Sequence, residues 1–496
     1  MTEEKKRGRY RGVLLFLLVL ALAAGAVLSI YTGALPPNAG IVAVALVLLT
    51  LFWLLRAHLP RILLVFFAVL LIGAAVTRRL PKLRADALDA SESENLARKW
   101  ATSGRFNETL PIVVHLIFDE MMSPGGFTND IPGGAEMRES LLRFGEKHSL
   151  RMFDSVYSRY FFSGESMPNM MSPEYLGKTG LGDIYKSQQA SQVSNAYFDD
   201  LDKRGYRTVV FQTSLMNFCA NKSVDMCETF DSFDPGGKGE VGLDARTQRA
   251  SVWQTIVRAY KPSYVSEVGQ WLLGRVYGLK HEVGVFGTAD RYDAQRFPQW
   301  FDRFKKFTAT VPRGSHVYAH FMVPHSPYLL SEGCVVSGRF EAGYYLSQYP
   351  ADERAAKRQQ YYRDYFAQLS CVQRKLDEFL TELRQAENFR DATIVIHGDH
   401  GSRISSGNIL EDYKPRDYVD NYAVFFAARS PKLQPGLDCE FVSLPEIFRR
   451  QFVADAPRTA ARLPVVVTSR AAGLAKVESP MPMFGCAAGT SALASR

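Results

Sequence analysis

The first eighty residues restrict what this chain can fold into more than any other stretch. Val13–Ile30, Ile41–Leu55 and Ile62–Val76 are three uncharged, apolar runs. A helix needs roughly 20 mainly apolar residues to cross a bilayer. The first run meets that length and the other two reach it with their flanks, so we expect three spans, at about 13–32, 38–56 and 60–77. A cleaved signal peptide is the alternative for the first run, because Lys5-Lys6-Arg7 gives it a basic start. No small-residue cleavage site follows, however, and two more apolar runs do. Buried helices of a soluble domain are the alternative for the second and third. Lys5, Lys6, Arg7, Arg9 and Arg11 precede the first span, and Arg56 and Arg61 flank the second loop, whereas residues 31–40 carry no charge. The positive-inside rule then places the N-terminus in the cytoplasm and everything after the third span outside. Arg78, Arg79, Lys82 and Arg84 point the other way, but they precede a large domain whose translocation depends little on flanking charge. The expected location is therefore a multi-pass protein of a bacterial inner or plasma membrane, its C-terminal part extracytoplasmic.

Cysteine usage agrees. All six cysteines (Cys219, Cys227, Cys334, Cys371, Cys439 and Cys486) fall in the exported part, and an even number in an oxidising compartment points to disulfides. Cys219 and Cys227, close together in a polar stretch, are the candidate local pair. The chain is 496 residues long, 47% hydrophobic and 22% charged, enough to bury a core, and its formal charge is +8. A positive field suits anionic lipids or phosphate-bearing substrates without specifying either. There is no zinc-finger spacing, no RNA-binding aromatic signature and no long basic tract, which argues against nucleic acid as a partner.

Residues 81–105 read as a polar connector. Beyond it, Leu110–Phe118 is a short run rich in β-branched residues that ends at Asp119-Glu120, as a buried parallel strand does when it delivers carboxylates at its C-terminal edge. Residues 207–211, 316–323 and 392–397 read as further strands. Tyr362–Glu387 has helical spacing, with Tyr365, Leu369, Val372, Leu376, Phe379 and Leu383 on one stripe. Strand and helix alternating in this way predict an α/β domain with a doubly wound, mostly parallel sheet. Ligand sites in such sheets form where strands end.

Three strand ends carry metal-capable residues: Asp119 and Glu120; His325 between Pro324 and Pro327; and His397, Asp399 and His400. Carboxylates with imidazoles suit a divalent cation, zinc or manganese first and calcium or magnesium next. Gly398 and Gly401 let the backbone fold closely around a ligand.

With those residues in view, the segment IVIHGDHGSR (394–403) resembles the Ser-Asp-His-Gly motif of the alkaline phosphatase and sulfatase superfamily. IVVHLIFDEM (112–121) resembles that superfamily's opening strand, FMVPHSPYLL (321–330) is similar to its His-x-Pro segment, and the helix at 361–383 fits its pattern. These segments stand in family order over roughly residues 110–450. The resemblance implies a catalytic domain over 106–496 that binds a metal through Asp119, Asp399 and His400, with Glu120 a further ligand. It implies that His325 binds the phosphoryl group or donates a proton to the leaving group; Arg403, two residues past the Asp-His-Gly core, is a candidate phosphate contact, with a solvated surface role the alternative. It also places a nucleophile in YFFSGESMPNMMS (160–172). Aligned on Pro168, that nucleophile is Ser166, itself also a metal ligand, with Asn169 in a substrate-binding position; Ser163 is the second choice and Ser172 the third. Met170 stands where a sulfatase motif has Arg, which favours phosphate over sulfate esters.

With the membrane runs, the resemblance is nearest to envelope transferases that move phosphoethanolamine or phosphoglycerol. A membrane phospholipid donor and a glycan or lipid acceptor follow as expected partners. A phosphodiesterase- or sulfatase-type hydrolase is the second reading, and a non-catalytic lipid-binding regulator of the envelope the third. The sequence does not specify the oligomeric state.

Overall fold

The computed structural model describes residues 85–171, 195–213, 216–230, 285–336, 346, 349–405, 407, 410–452, 465–470, 473–478, 482 and 484–486. The chain divides into two units, Met1–Arg84 and Ala85–Arg496, and all of the described residues belong to the second. The three expected spans and Ser172 lie outside the described residues. Among the described residues, no helix is long and apolar enough to cross a membrane.

In chain order the helices are α1 (Ala85–Thr102), α2 (Gly134–Lys147), α3 (Ser163–Met171), α4 (Ala196–Lys203), α5 (Val285–Thr308), α6 (Arg354–Gln385), α7 (Pro415–Tyr422) and α8 (Leu444–Phe452). The strands are β1 (Val113–Phe118), β2 (Arg151–Phe153), β3 (Val156–Tyr157), β4 (Arg207–Thr213), β5 (Met226–Phe230), β6 (Ser315–Phe321), β7 (Thr393–Gly398), β8 (Phe426–Arg429), β9 (Gly436–Asp438), β10 (Val442–Ser443), β11 (Val465–Arg470) and β12 (Gly473–Glu478). Eight of them form one sheet in the order β5-β4-β6-β1-β7-β8-β2-β9. Its pairs are parallel except the two made by β8. Every residue of β1 and β6 is buried, as in a parallel sheet covered on both faces, and the polar His115, Ser315, His316 and His320 are buried with the rest.

Strand alternation divides the core. Val114, Leu116 and Phe118 of β1 pack with Phe301 and Phe304 of α5 and with Leu376 and Phe379 of α6. Val113 and Ile117 pack on the other face with Phe198 of α4, Phe448 of α8 and the methionines of α3. Phe118 pairs in register with Phe321 on one side and Gly398 on the other. The three central strands therefore end level, and the residues that come after them leave the sheet at one edge.

The segment read as a polar connector is largely helical: α1 covers 85–102. Its Ala- and Glu-rich composition favours a helix, and Trp100 is fully buried, donating from Nε1 to Ser315 Oγ at 3.2 Å. Arg207 lies over the same indole, 5.1 Å from the ring centroid.

Disulfides join Cys219 to Cys227, Cys334 to Cys371 and Cys439 to Cys486, a pattern that suits an oxidising compartment. The last of these closes a clasp. Phe484 is buried against Phe441, its carbonyl accepts from Ser155 Oγ at 2.8 Å, and Cys486 N donates to Asp154 Oδ2 at 2.6 Å. That same oxygen accepts from Arg138 at 2.9 Å. A Cβ on Gly125 would lie 2.7 Å from Gly485 Cα, so the two backbones touch and only glycine fits there.

Candidate active site

Asp119 follows β1 directly, and Asp399 and His400 follow β7. Asp399 Oδ1 accepts the backbone N–H groups of His400 at 2.9 Å and Glu120 at 3.1 Å. Its Oδ2 and Asp119 Oδ1 are buried and have no hydrogen-bond partner. His400 Nδ1 lies 2.9 Å from the carbonyl of Gly401. A carbonyl only accepts, so Nδ1 carries the hydrogen and Nε2 of the neutral ring is a bare lone pair. That Nε2 stands 3.3 Å from Asp399 Oδ2 and 3.7 Å from Asp119 Oδ1. Three acceptors thus face one another with no hydrogen among them, their ligand atoms all within 4.8 Å. Buried acceptors left in this way are costly, and a divalent cation satisfies all three. The chain's residues therefore fit a metal, and the histidine tautomer is the one metal ligation needs.

The electrostatics agree. Burial opposes ionisation of Asp119, but the imidazoles of His320, His325 and His400 around it hold its carboxyl well below the usual range. Burial and the neighbouring Asp119 push Asp399 up. His320, on β6 with Nε2 3.4 Å from Asp119 Oδ2, is a site residue that sequence reasoning missed. The signal was the alternate-residue row His316, Tyr318, His320 in a strand ending at the site.

α3 starts at Ser163, whose hydroxyl donates to Asp119 Oδ2 at 2.9 Å and lies 3.4 Å from His400 Nε2. Ser166 is buried one turn further along, donates to the backbone carbonyl of Asp399 and lies 3.0 Å from Ser158 Oγ. Of the two expected nucleophiles, Ser163 thus meets Asp119 through its hydroxyl and Ser166 meets the Asp399 backbone. Pro168, on which the motif was aligned, lies inside α3. Asn169 is on the same helix, with its side chain outside the described set. Met170, where a sulfatase motif would have Arg, is buried in the apolar cluster beneath the helix.

Glu165, in the first turn of α3, is pushed up by burial from its ordinary 4.5 to about 7. A carboxyl that stays protonated in the folded state stabilises it at low pH and loses that contribution as pH rises through about 7. The effect amounts to roughly 2–3 kcal/mol. Melting temperatures should therefore fall between pH 5 and pH 8 in wild type and fall less in Glu165→Gln. Parallel curves for the two proteins would contradict the assignment.

Glu120 belongs to a second group with Asp119 and His325, and a protein cation already engages it. Arg403 donates from Nε and a terminal nitrogen to Glu120 Oε1 at 2.5 Å, and its guanidinium stands 2.5 Å from His325 Nε2. Ser326 N donates to Glu120 Oε2 at 3.2 Å. Glu120 and Arg403 both have left-handed backbone, at φ 64 and 57, a geometry non-glycine residues keep only where the surroundings hold them. Arg403→Ala would leave Glu120 buried beside Asp119 without its charge partner, a loss of about 3–5 kcal/mol. Urea unfolding should show it as a lower midpoint, with Arg403→Lys intermediate.

Helix α6 positions both segments. Tyr365 donates to the Glu120 carbonyl at 2.8 Å and accepts from Met122 N at 3.0 Å. Gln368 accepts from Leu329 N and Leu330 N and donates to the carbonyls of His325 and Pro324. The Cys334–Cys371 disulfide ties the same loop to the same helix.

The family model described as Sulfatase matches residues 112–450, a span that holds every residue of this cluster. The chain belongs to the sulfatase family. Among solved structures, this sulfatase-family chain is similar to the periplasmic domain of EptC from Escherichia coli in complex with Zn, at 11% identity and TM-score 0.42, covering 77% of this chain and 95% of that one. It is also similar to the periplasmic domain of the phosphoethanolamine transferase EptC from Campylobacter jejuni, at 11% identity and TM-score 0.38, covering 68% and 87%. A third is the phosphonate monoester hydrolase of Silicibacter pomeroyi, at 14% identity and TM-score 0.40, covering 72% and 80%. No curated protein matches the chain.

Proposed function

We propose that this sulfatase-family protein is a metal-dependent phosphotransferase of the cell envelope, moving a phosphoethanolamine or phosphoglycerol group from a membrane phospholipid to a glycan or lipid acceptor. The observation that carries the reading is Ser163. Its hydroxyl donates to Asp119 Oδ2 at 2.9 Å at the start of a helix, beside a cluster of buried acceptors fitted to a cation. Asp119, Asp399 and His400 would hold the metal, zinc or manganese. Such an ion supplies Lewis-acid polarisation of a phosphoryl oxygen and eases loss of a hydroxyl proton.

Asp119 orients the Ser163 hydroxyl, and the N-terminus of α3 favours the negative phosphoryl oxygens. As the Ser163 Oγ–phosphorus bond forms, the ester bond to the leaving alcohol breaks, and the serine proton leaves with that alcohol. An acceptor hydroxyl then attacks the same phosphorus, the Ser163 Oγ–phosphorus bond breaks, and the acceptor's proton returns to Ser163. Arg403, held by Glu120 and His325, gives the anion a fixed positive partner. Met170, buried in the apolar cluster, supplies no arginine for a sulfatase-type site, which supports phosphate over sulfate esters. The apolar N-terminal runs and three disulfides support work at the outer face of a membrane.

The test is mass spectrometry of the full chain after incubation with phosphatidylethanolamine and phosphatidylglycerol vesicles. A headgroup-phosphate adduct on Ser163 is expected. No adduct, alongside hydrolysis of a soluble sulfate ester, would sink the transferase reading; an adduct on Ser166 would remove Ser163 from its role.

A further inference from the structure

The proposed chemistry leaves a buried row of polar side chains unused. His115 of β1, His397 of β7, His316 of β6, Tyr197 of α4 and Thr208 of β4 are all buried and hydrogen-bonded in sequence. Thr208 Oγ1 lies 3.2 Å from His316 Nδ1, and His316 Nε2 lies 3.3 Å from the Tyr197 hydroxyl. That hydroxyl lies 3.2 Å from His115 Nδ1. His115 Nε2 lies 2.7 Å from His397 Nε2, and His397 Nδ1 meets the carbonyl of Gly398.

Chemistry fixes only the last link, and that settles the rest. A carbonyl has no hydrogen to give, so His397 Nδ1 carries one. Its Nε2 is then bare and must accept from His115 Nε2. The Nδ1 of His115 accepts from Tyr197, whose oxygen accepts from His316 Nε2, whose Nδ1 accepts from Thr208. Each neutral group contributes one hydrogen and each link uses one. Any other distribution sets two hydrogens or two lone pairs face to face in a dry core, at about 1–3 kcal/mol per broken link.

We propose that this directed row is a positioning network for the metal centre, acting through the Gly398 carbonyl to aim Asp399. Gly398 as a residue has little room to turn on either side. Its N–H donates to Phe425 O at 3.0 Å, and a Cβ there would lie 2.3 Å from the Met121 carbonyl. With His397 holding the Gly398 carbonyl and Ser166 the Asp399 carbonyl, the Asp399 side chain meets the N–H groups of Glu120 and His400 through one oxygen. The other is left for Asp119 and His400. The row also crosses β4, β6, β1 and β7, neighbours in the sheet, so it binds together the strands that present Asp119, His320 and Asp399.

This inference rests on the metal reading, and two measurements separate them. In ¹⁵N-histidine NMR of the full chain, His115 and His316 should carry hydrogen on Nε2 and His397 on Nδ1. An opposite tautomer at any of the three would overturn the row. In zinc competition against a chromophoric chelator, His115→Leu should bind about 10- to 100-fold more weakly. His115→Gln, whose amide nitrogen can stand in for Nε2–H, should recover most of that loss. A purely structural row predicts lower melting temperatures in both variants with zinc affinity unchanged in the folded protein, and that result would overturn the proposal. If wild type itself bound no zinc, the metal reading would fall, while the tautomers would still decide whether the row exists.

Discussion

Ser163→Ala should reduce turnover by at least ~10³-fold while leaving zinc content unchanged, because the nucleophile is lost and the ligands stay. The contrast is Ser166→Ala. Ser166 donates to the Asp399 carbonyl and faces Ser158, so its loss should shift the aspartate slightly and cost on the order of tenfold. Steady-state kinetics on a soluble phosphodiester and on phospholipid vesicles, with metal analysis of each variant, check both values. Equal losses from the two substitutions would mean that Ser163 is no more than a cap on α3. A larger loss at Ser166 would restore it as the nucleophile.

The second large effect concerns Asp399. Its Oδ1 accepts two backbone hydrogens, so in Asp399→Asn the amide oxygen should stay there and the NH₂ should take the place of Oδ2. That puts a donor among His400 Nε2 and Asp119 Oδ1, the acceptors that otherwise face it, and removes the charge that Asp119 opposes. Metal-free Asp399→Asn should then melt no lower than metal-free wild type, and relief of repulsion should put it a few degrees higher, ~1 kcal/mol being worth ~2–4 °C at this domain size. Zinc should behave oppositely. At a thousandfold excess over its dissociation constant it adds about 4 kcal/mol to wild type, and it should add almost nothing to the variant. Calorimetry of both proteins with and without zinc distinguishes this from simple misfolding, which would lower the variant under every condition.

How much of this was readable in the sequence depended on whether local pattern or cross-strand register carried the information. The strands β1, β6 and β7 announced themselves because parallel strands buried on both faces are apolar almost throughout, and their C-terminal carboxylates and histidines stood out against that background. The stripe on α6 was legible for the same reason, although the helix begins at Arg354, before its apolar stripe takes over. α1 was missed because a polar, Ala- and Glu-rich segment is equally good as a connector or a surface helix, and Trp100 alone showed that it docks. The antiparallel β8 and the short β2 and β9 lack enough residues for a periodic signal.

At the site, the two serines lie three apart and so share a face of α3. Only the depth of that helix against Asp119 tells them apart. The row from Thr208 to Gly398 was invisible for a related reason. His115 and His397 are 282 positions apart, and nothing local says that they meet. Arg403 was visible as a residue near the motif, but its engagement with Glu120 depends on two left-handed backbone positions that no pattern announces.

The clasp made by Cys439, Phe484, Gly485 and Cys486 bears on how the protein is made. Gly125 and Asp154, which it covers, sit between the strand that presents Asp119 and the helix that presents Ser163. Synthesis delivers those two segments hundreds of residues before it delivers the residues that seal them. The backbone at Gly125 and the side chain of Asp154 would therefore wait for their cover through the synthesis of all the residues up to Gly485 and Cys486. They would be sealed only when residues 484–486 arrived and an oxidant joined Cys439 to Cys486. Such an order of completion would make a truncation before Phe484, or loss of Cys486, costly to the packing around Asp154 and Phe441.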